Sequence, residues 1–293
     1  MHHDEIASDT AVVRSLLQAQ QPQWADLPVE RVSSTGTDNA LYRLGHHIVV
    51  RLPLRPSSVG QADKEHRWLP RLAPHLPLDI PVPLVRGSPT ERYPWPWSVY
   101  PWFEGDDATR AQVDLRQAAV DLAGFIAALH SLDPRGGPQP SAANFGRGVP
   151  LAMRGGVTRK AISASHDLIN TAAVTAAWEV ALRVPAWDRP PVWIHGDIAA
   201  GNLLVRGGRL RAVIDWGGLG IGDPACDLIV AWELFDAESR GVLRAELAVD
   251  DATWERSRGW ALSTAVVALQ YYQYTNPFMA AQARHKLSVV LGE

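Results

Sequence analysis

The pattern of apolar and polar positions changes near residue 104. Upstream of it, short apolar runs broken by polar residues or proline predict strands in ERVSSTGTDNALYRL, HHIVVRLPL and WPWSVYPWF. An amphipathic helix is predicted over residues 9–19, before these strands, and QADKEHRWLPRLAPHL predicts a second helix among them. The first 103 residues are therefore predicted to be rich in β-structure.

Downstream, the apolar period is that of helices. Between Arg110 and Leu132 apolar residues recur every three or four positions, which predicts a helix that stops before Pro134. Further helices are predicted over residues 227–237, 251–274 and 277–291. We therefore predict an α+β protein of two lobes: a β-rich lobe over residues 1–103 that ends in a hinge strand, and a mostly helical lobe over residues 104–293.

One stretch of the helical lobe breaks its pattern, VWIHGDIAAGNLLVRGGRLRAVIDWGG. Two strand-like runs end here in Asp197 and Asp215, with Asn202 between them. A hairpin would bring the three side chains to one edge of a sheet. Oxygen ligands of this kind suit Mg²⁺ better than zinc, and the remaining aspartate is free to hold a hydroxyl group. The spacing predicts phosphoryl transfer, and the alternative is a hairpin whose aspartates only cap turns.

Composition excludes several other classes of protein. The 293 residues carry a formal net charge of −3, and only three are lysines, so no basic stripe for nucleic acid is present. A single cysteine suits a reducing compartment, and the sequence shows no apolar signal segment or run long enough to span a membrane. We expect a cytoplasmic monomer or weak dimer that binds neither nucleic acid nor membrane.

The segments IHGDIAAGN, VIDWGG and GDPACDL resemble the catalytic signature of the aminoglycoside phosphotransferase family, small-molecule relatives of the protein kinases. STGTDNALYRLG is similar to the family's nucleotide-loop hairpin, HHIVVRLP to its cation-bearing strand, and ADKEHRWLPRL to the helix with the partner glutamate. The resemblance implies a two-lobed protein-kinase-like fold. It also implies transfer of the γ-phosphate of ATP or GTP, with Mg²⁺, to a hydroxyl of a small molecule, first of all an aminoglycoside-type or other antibiotic.

The resemblance gives roles to five residues of the helical lobe. Asp197 would be the catalytic base, and Asn202 and Asp215 would be both catalytic and the ligands of Mg²⁺. His195 would brace the catalytic loop from within. Asp227 would tie that loop to a helix beneath it, with a simple helix N-cap as the alternative.

The N-terminal lobe departs from the kinase pattern at its phosphate-binding cation. The position is held by Arg51, where kinase-like folds usually have lysine, and Glu65 is its expected partner. Arginine keeps the charge and can bind a phosphate or carboxylate through two hydrogen bonds, but it is bulkier. Lys64, the other basic candidate, is expected to point to solvent.

Two further segments are candidates for nucleotide binding. In SSTGTDN, the residues Ser34, Gly36 and Thr37 would cover the phosphates with backbone N–H groups, although an ordinary hairpin turn explains this loop equally well. In the hinge, Tyr100 and Trp102 would present backbone groups to the purine. The proline between them has no N–H, so Trp102 is the expected donor.

The acceptor site is the least determined part of the sequence. Five candidate contacts follow the hinge or the GDPACDL segment: Asp106, Asp107, Glu233, Asp236 and Tyr271. A solvated helix face accounts for the carboxylates as well, and packing within the lobe accounts for the tyrosine.

Other functions stay open at this point. The run VVRLP with its arginine also resembles macrolide phosphotransferases, and a metabolite kinase of the same fold is a further possibility. Of another class is a nucleotide-binding pseudo-kinase, which the replacement of lysine by Arg51 suggests. A metal-dependent hydrolase would need histidine ligands that this stretch lacks.

Overall fold

A five-stranded antiparallel sheet forms the first part of the molecule. The computed structural model describes residues 8–32 and 38–292. The strands are β1 (Val29–Arg31), β2 (Asn39–Leu44), β3 (Ile48–Pro53), β4 (Val85–Gly87) and β5 (Trp97–Pro101). Their order in the sheet is β1-β2-β3-β5-β4. The alternating burial along β2 shows why apolar–polar alternation predicted strands here.

Two helices accompany this sheet. Helix α1 (Thr10–Gln20) begins at Asp9, whose carboxylate accepts a hydrogen bond from the Val12 N–H at 2.8 Å. Helix α2 (Pro56–Leu72) follows β3 directly and carries Glu65 in its middle. The helix is preceded by an extended Arg55 and has proline in its first position, an arrangement that suits a helix start.

The second part of the molecule is mostly helical. Its helices are α3 (Leu115–Ser131), α4 (Gly155–Ala164), α5 (Thr171–Leu182), α6 (Ala237–Glu246), α7 (Asp251–Tyr272) and α8 (Pro277–Leu291). Within the described ranges, none of the helices has the length and hydropathy needed to cross a membrane. The predicted fold class, a β-rich part followed by a mostly helical one, is confirmed.

Several element boundaries differ from the sequence prediction. Helix α3 begins at Leu115, five residues later than predicted, because the Asp114 side chain caps it through the Gln117 N–H at 3.0 Å. Residues Pro224–Trp232 form a 3-10 helix where an α-helix over 227–237 was predicted. The sequence patterns gave no assignment to α4 and α5.

Two hydrophobic cores divide the molecule unevenly. The smaller core lies between α1 and the sheet and contains Tyr42, Leu52 and Trp97. The larger core belongs to the helical part, yet it includes Trp68 and Leu69 from the second half of α2. Helix α2 therefore contacts both the sheet, at β3 and β5, and the core of the helical part. The division into lobes over residues 1–103 and 104–293 stays a prediction.

The signature stretch spans two small sheets rather than one hairpin. Strand β7 (Val192–Ile194) pairs with β10 (Gly220–Gly222), while β6 (Asp106–Asp107), β8 (Leu203–Arg206) and β9 (Arg209–Val213) form a three-stranded sheet in the order β6-β8-β9. Asp197 follows β7, so it comes from a different sheet than the hairpin β8–β9. The prediction that a single hairpin joins the three polar side chains was wrong.

Candidate active site

Asp197 lies in the short loop between β7 and β8. The loop packs tightly against the segment after β9, because Gly196 has φ 81° and a Cβ at this position would lie 2.5 Å from the carbonyl oxygen of Gly218. This close backbone approach places the residue before Asp197 against the segment that follows Asp215. Tertiary packing thus brings together the two segments that carry Asp197 and Asp215.

Asn202 connects the loop to the hairpin. Its Nδ2 donates to the carbonyl oxygen of Asp197 at 2.9 Å, and the N–H of Ile214 donates to the Asn202 carbonyl oxygen at 2.9 Å. The amide orientation is therefore set, and its Oδ1 is left as an acceptor. Asp215 follows Ile214 in a left-handed conformation with φ 63°, and its side chain is half exposed.

These oxygen atoms fit a magnesium ion. The described residues contain no group of three His, Cys, Asp or Glu side chains that could hold a metal alone. A hard cation that takes one amide oxygen, one carboxylate and otherwise phosphate oxygens and water needs no such group. Asn202 and Asp215 are the residues that would hold it.

A buried hydrogen-bond network supports the loop from below. Asp227 is fully buried and accepts from the backbone N–H of Gly196 at 2.7 Å and of His195 at 3.1 Å. The same carboxylate pairs with His130 Nε2 of α3 at 3.1 Å. Asp227 therefore links the catalytic loop to α3, and sequence reasoning did not single out His130.

His195 is held at both ring nitrogens. Its Nε2 lies 3.1 Å from the carbonyl oxygen of Ile214, and its Nδ1 accepts the Asp197 N–H at 3.2 Å. The first contact requires a proton on Nε2, so the ring is the Nε2–H tautomer. The ring spans the segments before Asp197 and before Asp215, which is the place of a structural brace.

Across the cleft, Arg51 is surrounded by protein acceptors. Its Nη1 donates to both carboxylate oxygens of Glu65 at 2.8 and 3.0 Å, and its Nη2 donates to Gln61 at 3.2 Å. With the Asn39 amide turned so that its oxygen faces the guanidinium, Nε and Nη2 donate to it at 3.1 and 3.0 Å. All three nitrogens of Arg51 have partners, so a phosphate would have to replace one of them.

In the Arg51–Glu65 pair, the Glu65 side chain is fully buried and the Arg51 side chain is 14% exposed and faces Asp215. Burial alone would lower the pKa of Arg51, but the charge of Glu65 outweighs it and the pKa is raised. The Tyr100 hydroxyl also donates to Glu65, and burial followed by the Glu65 charge raises the pKa of Tyr100. Arg51 Nη2 lies 3.9 Å from Asp215 Oδ1, so the strand that carries Arg51 approaches the segment after β9.

The sequence suggested that Lys64 points to solvent, and the structure contradicts this prediction. Its Nζ donates to the carbonyl oxygens of Gly217 at 2.7 Å, Ala143 at 3.0 Å and Leu219 at 3.3 Å. These carbonyls follow Asp215 or belong to the long loop after α3, so Lys64 bridges α2 to the helical part. Burial lowers the pKa of Lys64 to about 8.

The Trp102 N–H, which the sequence suggested as the hydrogen-bond donor to a purine, is already bonded within the protein. The Trp102 N–H donates to the His47 carbonyl oxygen at 2.7 Å, so it is not available to a purine. The Val99 carbonyl oxygen instead accepts from Leu84 at the opposite edge. Because alternate residues of a strand face alternate edges, the Pro101 carbonyl points to the side of β4, and Phe103 follows two residues beyond the end of β5. The Phe103 N–H has no acceptor among the residues that the structure describes.

Ser34, Gly36 and Thr37 lie outside the described residues, so their role stays a prediction. The strands β1 and β2 that flank them are paired in register, with Arg31 opposite Tyr42.

Two of the carboxylates predicted for the acceptor have other partners. Glu233 is 8% exposed, accepts from the Ala200 N–H of the catalytic loop at 2.9 Å and pairs with Lys286 Nζ at 2.5 Å. It is therefore neutralised and supports the loop from within. Asp236 caps α6 through the Ser239 N–H at 2.8 Å.

The remaining acceptor candidates lie near the surface. Asp107 accepts hydrogen bonds from both Thr109 groups, N–H and hydroxyl, and Asp106 is exposed on the short strand β6 beside the catalytic loop. Tyr271 is 45% exposed near the end of α7 and packs edge-on against Tyr272. Contacts of these residues with an acceptor stay a prediction.

Arg147 is a second residue at this site, after His130, that the sequence did not indicate. It comes from the long loop after α3, and its Nη2 donates to Asp197 Oδ1 at 2.8 Å. Its side chain is 13% exposed, and its Nε and Nη1 are buried without a hydrogen-bond partner in the described part of the chain. The only sequence signal was an isolated arginine between glycines, which does not show where the loop runs.

Known proteins share this arrangement of elements. The chain resembles the solved structure of APH(2")-IIia in its GDP and kanamycin complex, with 19% identity, a TM-score of 0.74, and coverage of 97% of this chain and 99% of that one. It also resembles the apoenzyme of macrolide 2'-phosphotransferase MphH from Brachybacterium faecium, with 22% identity, a TM-score of 0.63, and coverage of 96% and 97%.

A third similar structure is the ternary complex of APH(2")-IIa with streptomycin and ATP, at 18% identity, a TM-score of 0.61, and coverage of 95% of each chain. These similarities confirm the protein-kinase-like fold. No curated protein sequence matches the chain. The family model named "Phosphotransferase enzyme family" matches residues 29–260. Since this match spans most of the chain, the protein belongs to the phosphotransferase enzyme family.

Proposed function

We propose that the protein transfers the γ-phosphate of ATP or GTP to a hydroxyl group of a small molecule. The observation that supports the proposal most is the hydrogen-bonded link from Asp197 through Asn202 to the residue before Asp215, with Asp215 3.9 Å from Arg51. In that arrangement a base and two metal ligands face a cation across a cleft, as phosphoryl transfer requires.

In the proposed reaction, Asp197 orients the acceptor hydroxyl and receives its proton. The hydroxyl oxygen attacks the γ-phosphorus, the bond from that phosphorus to the bridging oxygen breaks, and ADP or GDP leaves. Asn202 holds the Asp197 loop in place through its backbone carbonyl, and His195 and Asp227 keep the loop rigid. Mg²⁺, when bound, neutralises charge on the phosphates.

The nucleotide would lie between the hinge and α2. The Pro101 carbonyl and the Phe103 N–H offer one acceptor and one donor to a purine edge, which suits adenine and guanine alike. The segment 33–37 is proposed to cover the phosphates. Arg51 is proposed to contact them through Nη2, the nitrogen nearest to Asp215.

The acceptor class is suggested by the proteins of similar fold. Their structures are described as complexes with kanamycin, gentamicin and streptomycin or as macrolide 2'-phosphotransferases. This supports an antibiotic acceptor, and thereby resistance by phosphorylation, with a metabolite kinase as the alternative. We further propose that the protein is cytoplasmic, which its single cysteine supports. We also propose that it is a monomer or a weak dimer.

The test is an acceptor-dependent phosphotransfer assay with Mg²⁺ and either nucleotide. Kanamycin, streptomycin, erythromycin, sugars and sugar acids would be offered, and ADP or GDP release and phosphorylated product measured. Asp197→Ala is expected to lower the rate by about 10²–10⁴-fold while Mg²⁺–nucleotide binding is kept. An unchanged rate in Asp197→Ala would contradict the proposed mechanism.

A second candidate is a nucleotide-binding pseudo-kinase, which the fully bonded state of Arg51 favours. If every nitrogen of Arg51 keeps its protein partner, phosphate binding is weakened. Mg²⁺-dependent nucleotide binding without phosphotransfer to any acceptor would support this candidate over the first.

A further inference from the structure

A second arginine, Arg154, packs on the same indole ring as Arg147. Both guanidinium groups pack against the indole of Trp260, with their central carbons 5.9 Å (Arg147) and 4.9 Å (Arg154) from the ring centroid. They therefore lie at most about 11 Å apart, and one of them touches the catalytic carboxylate. Trp260 itself is fully buried in α7.

Arg154 has little to balance its charge. Its Nε donates to the Ser263 hydroxyl at 2.8 Å, and its two Nη atoms have no acceptor in the ranges that the structure describes. In contrast to two nitrogens of Arg147, these Nη atoms are not enclosed by protein. Burial, and then the charge of Arg147, lower the pKa of Arg154 to about 10.

Among the described residues, no carboxylate forms an ion pair with Arg154, and three carboxylates of the helical part have other partners. Asp223 is bound by Arg256 at 2.8 Å, Asp227 by the catalytic loop, and Glu179 by Arg159 at 2.9 Å. The Cys226 thiol is also close, but burial raises its pKa well above the usual value, so it carries no charge at neutral pH.

Of the two guanidinium groups, only that of Arg147 contacts a carboxylate, Asp197 at 2.8 Å, and Arg154 forms no ion pair within the described part of the chain. Keeping a partly buried cation without an anion costs free energy, and a neighbouring cation adds to that cost. Such a site is stabilised when a bound ligand supplies oxyanion oxygens, which the planar guanidinium matches well. A polycationic acceptor would instead be repelled by this pair.

We propose that the acceptor carries an oxyanion group, which binds between Arg147 and Arg154 while the acceptor's hydroxyl lies at Asp197. The proposal rests on the proposed function and narrows its acceptor class. Binding of the oxyanion draws the Arg147 guanidinium toward the ligand and releases Asp197 Oδ1 for the hydroxyl. The negative charge of the acceptor thus both strengthens its binding and frees Asp197 to accept the proton of the hydroxyl.

The first experiment measures oxyanion binding apart from catalysis. The full chain is saturated with Mg²⁺ and β,γ-methylene ATP, and sulfate is titrated against chloride at equal ionic strength while the Tm is followed. Sulfate is expected to raise the Tm by about 2 °C or more beyond chloride in the unmodified protein. Arg154→Gln is expected to lose this increment.

Arg159→Gln is the matched control. Arg159 also lies on α4 and the substitution removes the same charge, but this arginine is exposed and paired with Glu179. The control is expected to keep the sulfate increment. Equal increments in all three proteins, or no increment in the unmodified protein, would overturn the proposal, because sulfate would then act only on the solvent or not at all.

The second experiment uses phosphotransfer. D-Gluconate is compared with D-sorbitol, which has the same kind of hydroxyl groups without the carboxylate, and with kanamycin. Sulfate is expected to compete with whichever acceptor is phosphorylated, and Arg154→Gln is expected to raise the acceptor KM at least tenfold and to abolish that competition. Kanamycin transfer that is unaffected by sulfate and by Arg154→Gln would refute the oxyanion site and leave the proposed function intact.

The opposite result separates the two proposals as well. A sulfate increment that is lost in Arg154→Gln, together with no transfer to any acceptor, would support the oxyanion site and contradict the phosphotransferase reaction.

Discussion

Arg51 and Arg154 differ in how completely protein groups bond to their guanidinium nitrogens. On the nucleotide side, Arg51 has protein acceptors on all three nitrogens, and its partner Glu65 is completely buried. On the side that we propose for the acceptor, Arg154 has a serine hydroxyl and the face of an indole as partners. A charge that the protein balances by itself belongs to the framework, whereas a charge left unbalanced indicates a place for a ligand.

The difference follows from what each side must do. Under the proposed function, Mg²⁺ would balance part of the phosphate charge on the nucleotide side, so Arg51 can keep most of its protein partners. On the side proposed for the acceptor, the Arg154 Nη atoms would bond to the ligand alone. Partners that are supplied by the ligand make its binding depend on the chemistry of the acceptor.

The largest loss of stability is expected when the Arg51–Glu65 ion pair is removed. Glu65→Gln leaves the buried Arg51 without its carboxylate and weakens the acceptor of the Tyr100 hydroxyl. We expect a loss of about 3–5 kcal/mol in the free energy of unfolding, measured by urea denaturation. Glu179→Gln, which breaks an exposed pair, is the control and is expected to cost less than about 1 kcal/mol. Similar losses in both variants would remove the contrast.

Lys64 is an intermediate case, since it is partly buried and its acceptors are neutral carbonyls. Its folded pKa of about 8 lies below the 10.5 of a free lysine. Between these values the unfolded chain holds more protons, so the contribution of Lys64 to stability rises with pH from about 8 to 10.5. Below pH 8 the burial of the ammonium group opposes folding.

NMR of ¹⁵N-lysine side chains can measure this titration, because the chain has only three lysines. One resonance is expected to titrate near pH 8 and to be absent in Lys64→Met. If all three resonances titrate above pH 10, the interpretation of Lys64 as a desolvated bridge is wrong.

The smallest effect is expected at the unbalanced side. Arg154→Gln removes a charge that has no carboxylate partner, so only the serine hydrogen bond and the indole contact are lost. We expect the free energy of unfolding to change by less than about 1 kcal/mol without ligand, measured under the same urea conditions. A loss as large as that of Glu65→Gln would show that Arg154 is part of the framework instead.

The sequence predicted best where local rules suffice. Helix α8 begins at Pro277, as predicted, because Asn276 caps it and proline fits its first turn. The strands β1, β2, β3 and β5 were predicted from their apolar runs, and β2 shows the regular alternation of burial. No strand was predicted at β4. The start of α3 was misplaced because the apolar period alone does not show which polar residue caps the helix.

The candidate site was predictable in its residue types but not in its contacts. Arg51 and Glu65 were expected as partners, and the structure joins them at 2.8 Å. Lys64 was assigned to solvent because helix periodicity shows a face, not what packs on that face. The Trp102 N–H was assigned to the nucleotide because strand register, which gives it to His47, is not visible in the sequence.

By itself, the sequence determined the fold class and the family, since both depend on periodicity and on short motifs that neighbouring residues form together. Only the tertiary structure decided which charges meet. Arg147 and Asp197 are 50 residues apart, and Arg154 and Ser263 are 109 apart. Such pairs form because helices and loops pack around a common core, and sequence spacing does not show that packing.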